Sequence, residues 1–127
     1  MKKFISLPYI FVMVLSLMLV GCQGGETIKI GTLLDKTGDL GSYGPPMEIG
    51  ADLAIKLLQD AGVDIVKVPG DSGTANQKSI AEATRLIDIE GVDAIVGSLS
   101  SGVTMATAIA VTIPKNIPLM SPASTSP

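Results

Sequence analysis

The sequence predicts an α/β fold in which successive βαβ units build a parallel sheet. Three observations carry this. Four short apolar runs with strand character recur between positions 27 and 121. Segments with apolar residues at helical spacing separate them, and loops rich in Gly, Pro, Asp and Ser mark each change of period. Right-handed crossovers then bring the loops that follow the strands to one end of the sheet.

The first strand spans residues 27–34 (TIKIGTLL), which alternates and then turns continuously apolar, as a buried parallel strand does. Residues 35–44 (DKTGDLGSYG) form a loop. Pro45 and Pro46 suit the first turn of a helix, where a missing N–H is harmless. Met47, Ala51, Ala54, Ile55 and Leu58 share one face of that helix, and Gly62 can end it in a left-handed conformation. Residues 63–68 (VDIVKV) give the second strand and 69–73 (PGDSG) a turn. Thr74 and Gln77 have the spacing of a capping box for a helix reaching about residue 90, with Ile80, Ala83 and Ile87 on its inner face and Gly91 at its end. The third strand covers 92–96 (VDAIV), and the next helix runs from about residue 103 to 113, stopped by Pro114. A fourth strand occupies 117–121 (IPLMS), followed by PASTSP.

Composition narrows the function classes. With 127 residues the chain holds at most one domain. Nine Lys and Arg against twelve Asp and Glu leave no basic face for nucleic acid. Histidine is absent, which excludes a Ser-His-Asp triad, a Cys-His pair and a histidine zinc site within the chain. Aromatics amount to 3%, too few for a base-stacking platform. No metal and no cofactor is expected.

Residues 1–21 read as a signal segment. Lys2 and Lys3 precede an apolar run at 10–20 (IFVMVLSLMLV), which is shorter than the about 20 residues that span a bilayer. Leu19-Val20-Gly21-Cys22 then resembles the bacterial lipobox, in which the cysteine is lipidated and the chain is cut before it. Cys22 is the single cysteine, so it has no internal disulfide partner. Cleavage removes two lysines and takes the formal charge from -3 to -5. Residues 22–26 form a tether to the membrane.

Ligands of such sheets sit beyond the carboxyl ends of the strands. Three loops converge there: 37–44, 97–102 and 122–127. GSLSSGVT, at 97–104, matches G-x-x-x-x-G but places Val103 where a nucleotide-binding loop needs lysine. G-x-S-x-G fails as well, because position 99 is Leu. What remains is a neutral, hydroxyl-rich loop at a helix start, suited to a single carboxylate or simply to capping by Ser100 or Ser101. PASTSP offers hydroxyls and carbonyls that suit an ammonium, or it is a polar turn.

From about residue 28 to residue 127 the chain resembles the amino-acid-binding lipoproteins of ABC importers, the leucine/isoleucine/valine-binding type of the type 1 periplasmic binding fold. The residues that carry the resemblance are IKIGTLLDKTGDLGSYG, PPMEIGADLAI, VDAIVGSLSSGVT and IPLMSPASTSP. It implies that residues 27–127 are a partial N-terminal lobe of a two-lobe protein, whose second lobe lies beyond this sequence. Members usually carry a longer Gly-rich segment before the second strand; here Asp60-Ala61-Gly62 runs directly into Val63. The family assigns the ligand carboxylate to Ser101, the ammonium to the Ala123 carbonyl and the Thr125 hydroxyl, and the pocket border to Tyr43. Asp71 and Ser72 are expected to cap or brace the helix that follows them. The implied function is the extracytoplasmic solute receptor of an ABC transporter for an amino acid or similar small polar solute. Its partners are that ligand, an ABC permease and the membrane through the lipid anchor. Such a receptor is not an enzyme; the competing readings are a sensory ligand-binding module and an α/β enzyme using Asp35, Asp39 or Asp71 for acid/base work.

Overall fold

The computed structural model describes residues 25–126. The signal segment, Cys22 and most of the tether lie outside the described residues, while Gly25 and Glu26 are exposed and without regular structure. Four parallel strands make one sheet: β1 (Ile28–Leu34), β2 (Ile65–Asp71), β3 (Ala94–Gly97) and β4 (Leu119–Met120), in the order β2-β1-β3-β4. Three helices connect them: α1 (Gly44–Asp60), α2 (Asn76–Asp88) and α3 (Ser101–Thr107), which runs on as a π-helical turn (Ala108–Thr112).

The strand order decides the layers. From β1 the chain steps one way to β2, then the other way to β3 and β4. With right-handed crossovers, α1 must cover one face and α2 and α3 the opposite one. Accordingly α1 packs on β1 and β2, whereas α2 packs on β2, β1 and α3. The core is Leu33, Ala83, Leu86, Val92, Ile95 and Val111, with Val68, Ile80, Ile87, Ile117 and Leu119 packed around it.

Local signals account for most boundaries. Pro45 and Pro46 stand in the first turn of α1, and Gly62 follows its end with φ +88°. The α1 stripe is less buried than its spacing suggests. Met47, Ala51 and Ile55 are half-buried, while Ala54 and Leu58 are exposed. Ala51, Ala54, Ile55 and Leu58 border, with Ile30, Thr32, Ile65 and Val96 of the sheet, an apolar groove of about 320 Å³.

Three expectations are corrected. β2 starts at Ile65 and runs through Pro69 and Gly70 to Asp71, where a turn was expected. Proline is tolerated because β2 is an edge strand, in which a missing N–H can face away from the ladder. The expected capping box is absent: Ala75 occupies the N-cap position of α2 with no side-chain cap. Thr74 instead adopts φ +53°, and its Oγ1 accepts the Leu40 N–H at 3.0 Å. Likewise, the hydroxyl of Ser100, the N-cap residue of α3, makes no cap hydrogen bond.

Candidate functional site

The sheet changes direction between β1 and β3, and the loops at their carboxyl ends part there to leave a crevice. A cleft of about 240 Å³ occupies this place, lined by Leu40, Tyr43, Met47, Leu99 and Ala123. These residues come from the loop after β1, the start of α1, the loop after β3 and the loop after β4. None carries a charge.

Each wall is held by polar contacts behind it. The β3–α3 loop leaves the sheet at Gly97, whose φ of +138° is open to glycine and strained for other residues. Leu99 is fixed from below, its N–H donating to Asp35 Oδ2 at 2.8 Å. The loop after β4 is then laced to the loop after β3 by hydroxyls. Ser121 Oγ donates to the Ser98 carbonyl and accepts the Ser124 N–H at 2.9 Å. Thr104 Oγ1 lies 2.9 Å from Ser124 Oγ, and Ser101 Oγ accepts the N–H groups of Thr125 and Ser126 at 3.2 and 3.3 Å.

The loop after β1 is braced by Asp71. Its carboxylate accepts the N–H groups of Lys36, Thr37 and Gly73 and the Thr37 hydroxyl, and pairs with Lys78. Burial alone would raise this carboxyl, but the hydrogen bonds from Lys78, Thr37, Lys36 and Gly73 prevail and hold it well below the usual carboxylate range. Asp71 thus braces the first loop and reaches α2 only through Lys78. Glu48 does the same for α1, one residue beyond the cleft-lining Met47. It accepts from Thr32 at 2.9 Å and pairs with Lys36 and with Lys67, which also meets Asp52. Burial opposes the Glu48 charge, yet Lys67, Thr32 and Lys36 together lower its pKa.

Of the residues singled out from sequence, Tyr43 and Ala123 line the cleft. Ser101 and Thr125 are brought together, but through the Thr125 backbone N–H, so the Thr125 hydroxyl is not part of that bond. Leu40, Met47 and Leu99 were not singled out. A signal for two of them exists, since Leu40 and Leu99 are lone apolar residues in otherwise polar loops.

Comparison with known proteins agrees with this geometry. Residues 27–127 match the periplasmic binding protein family. A leucine/isoleucine/valine-binding protein homologue of Brucella abortus (strain 2308) is 39% identical over 79 residues, covering 59% of this chain and 20% of the relative. Among solved structures, the branched-chain amino acid transporter substrate-binding protein of Streptococcus pneumoniae, in complex with isoleucine, superposes with a TM-score of 0.73 at 31% identity. That match covers 80% of this chain and 30% of the other. A solute-binding protein of an ABC transporter from Rhodopseudomonas palustris, in complex with benzoate, gives a TM-score of 0.64 at 28% identity over 77% of this chain and 28% of that one. The chain therefore spans about a fifth to a third of the length of these relatives. With its parallel sheet, its cleft at the change of strand direction and a family match that takes in every described residue from Thr27 onward, the chain belongs to the periplasmic binding protein family.

Proposed function

We propose that this chain forms part of the first lobe of an extracytoplasmic solute receptor, which delivers an amino acid or a similar small carboxylate to an ABC permease. The observation that carries the reading is the state of Ser101. Its oxygen already accepts two backbone N–H groups, and its own hydrogen has no acceptor among the described residues. A hydroxyl polarised in this way is a ready donor to a carboxylate. The ligands of the two solved relatives, isoleucine and benzoate, share that group.

On this reading the ligand carboxylate meets the Ser101 hydroxyl. The Ala123 carbonyl and the Thr125 hydroxyl face the ammonium, and Tyr43, Leu40, Met47 and Leu99 border the side chain. The uncharged lining suits a ligand that brings its own balanced charges. The receptor binds and presents its ligand, with no chemistry of its own.

Calorimetric titration of the full-length protein with isoleucine tests the assignment. Ser101→Ala and Thr125→Ala are each expected to weaken binding by about 1–3 kcal/mol, roughly 5- to 150-fold in Kd, because each removes a partner from a charged group. Wild-type affinity in both variants would sink it. We also propose that Cys22 carries the lipid that holds the receptor outside the cytoplasmic membrane, as its place after Leu19-Val20-Gly21 supports. Cys22→Ser should then abolish metabolic labelling with palmitate, and persistent labelling would refute the anchor.

A further inference from the structure

We propose that Asp35 and Ser72 hold one buried water molecule beneath the cleft, and that through this tie Asp35 is the positioning residue of the loop after β3. Both side chains are fully buried. Asp35 Oδ2 accepts the Leu99 N–H, while Asp35 Oδ1 and Ser72 Oγ have no hydrogen-bond partner among the described residues. Two orphaned polar atoms in one small chain call for a shared cause, since an unpaired buried carboxylate oxygen is among the costliest groups a fold can carry.

The strand register places them side by side. Leu34 stands opposite Asp71, and the Ser72 N–H donates to the Leu34 carbonyl at 3.3 Å, so the β1–β2 ladder continues to bring Ser72 next to Asp35. Paired residues of a parallel ladder point to the same face. On the other flank Leu33 stands opposite Gly97, which leads toward Leu99. Asp35 therefore sits between the two neighbouring strand ends, with Oδ2 committed to the β3 side and Oδ1 left for the β2 side. A water there can donate to Oδ1 and accept from Ser72, as buried waters with two to four polar partners do. Ser79 and Thr107, buried on the same side of the sheet, are already engaged. Ser79 bonds Thr107 at 2.7 Å, and Thr107 donates to the Val103 carbonyl at 2.8 Å.

A three-strand tie of this kind fixes Leu99 in the cleft wall and the serines that follow it. The effect on ligand rests on the receptor reading above; the water site does not. A high-resolution crystal structure of the full-length protein is expected to show water within hydrogen-bond distance of Asp35 Oδ1 and Ser72 Oγ. A direct Asp35–Ser72 bond or a dry contact would overturn the site. Amide exchange at Leu99 reports the positioning role without ligand. Asp35→Ala should speed it at least tenfold, and Asp35→Asn, which keeps an acceptor oxygen, should restore most of the protection. If Asp35→Ala does not fold, Ser72→Ala carries the test: exchange at Leu99 should rise several-fold, and an unchanged rate overturns the tie. Isoleucine titration of the same variants keeps the two ideas apart, because loss of the amino-acid reading leaves the exchange results standing.

Discussion

Gly97→Ala is expected to cost about 3–5 kcal/mol of folding stability, at the upper end of what a single substitution does. A Cβ at this position would lie 2.1 Å from the Leu33 carbonyl oxygen and 2.5 Å from its carbon, on a residue whose φ is already +138°. The obstacle is backbone in β1, the strand that pairs with both β2 and β3, so no rotamer change relieves it. Either the β1–β3 pairing at Leu33 and Gly97 opens or the loop after β3 moves, and the cleft loses a wall in both cases. Gly102→Ala makes the matched control, because nothing lies within 4 Å of its Cβ direction. Urea unfolding of the two variants decides the matter: the control should stay within about 0.5 kcal/mol of wild type. Equal midpoints for both would show that the approach of Gly97 to β1 is not limiting.

Asp71→Ala should be the next most damaging change, by about 2–4 kcal/mol, since it strips one carboxylate that serves three backbone N–H groups, a hydroxyl and an ammonium. It also carries a pH signature. The folded-state pKa of Asp71 lies below its ordinary value of 3.8. The stabilisation is therefore fully present above that ordinary value and is lost as pH falls through it toward the folded value. Glu48 is shifted the same way and adds to the acid loss. Lys67, raised above 10.5, contributes stability below that pH and loses it only as pH rises through its folded value. Unfolding curves from pH 7 down to pH 3 should narrow the gap between wild type and Asp71→Ala toward the acid end without closing it, because the folded value lies below that range, and a constant gap between them would contradict this account.

How much of this was legible in the sequence follows from the range of the interactions involved. Local devices read well. Pro45 and Pro46 opened α1, Gly62 closed it, and the apolar run of β1 was placed within a residue. The convergence of three loops also followed from alternation and handedness alone, whereas Tyr43 and Ala123, which line the cleft there, were reached through the family resemblance. What failed were assignments that depend on strand order. Pro69 reads as a turn until β2 is known to be an edge, and Thr74 reads as a cap until Leu40 is known to lie across from it. Asp71 and Asp35 illustrate the same limit more strongly. Besides the nearby Gly73 and Lys78 that Asp71 also holds, their partners lie 34 or 35 and 64 positions away, at Thr37, Lys36 and Leu99, and no spacing rule within one helix or strand encodes those distant contacts.

The hydroxyl lacing between the last two loops has a mechanical consequence. β4 is only two residues long, so Ser98, Ser101, Thr104, Ser121 and Ser124 hold this edge of the cleft in place of an extended ladder. A ladder bond is fixed by two backbones and breaks when either moves. A hydroxyl is a swivel: its hydrogen can turn from one acceptor to another while its oxygen keeps the donors it has. On the receptor reading proposed above, a ligand carboxylate would be met by turning hydroxyl hydrogens, with the sheet beneath the rim left paired.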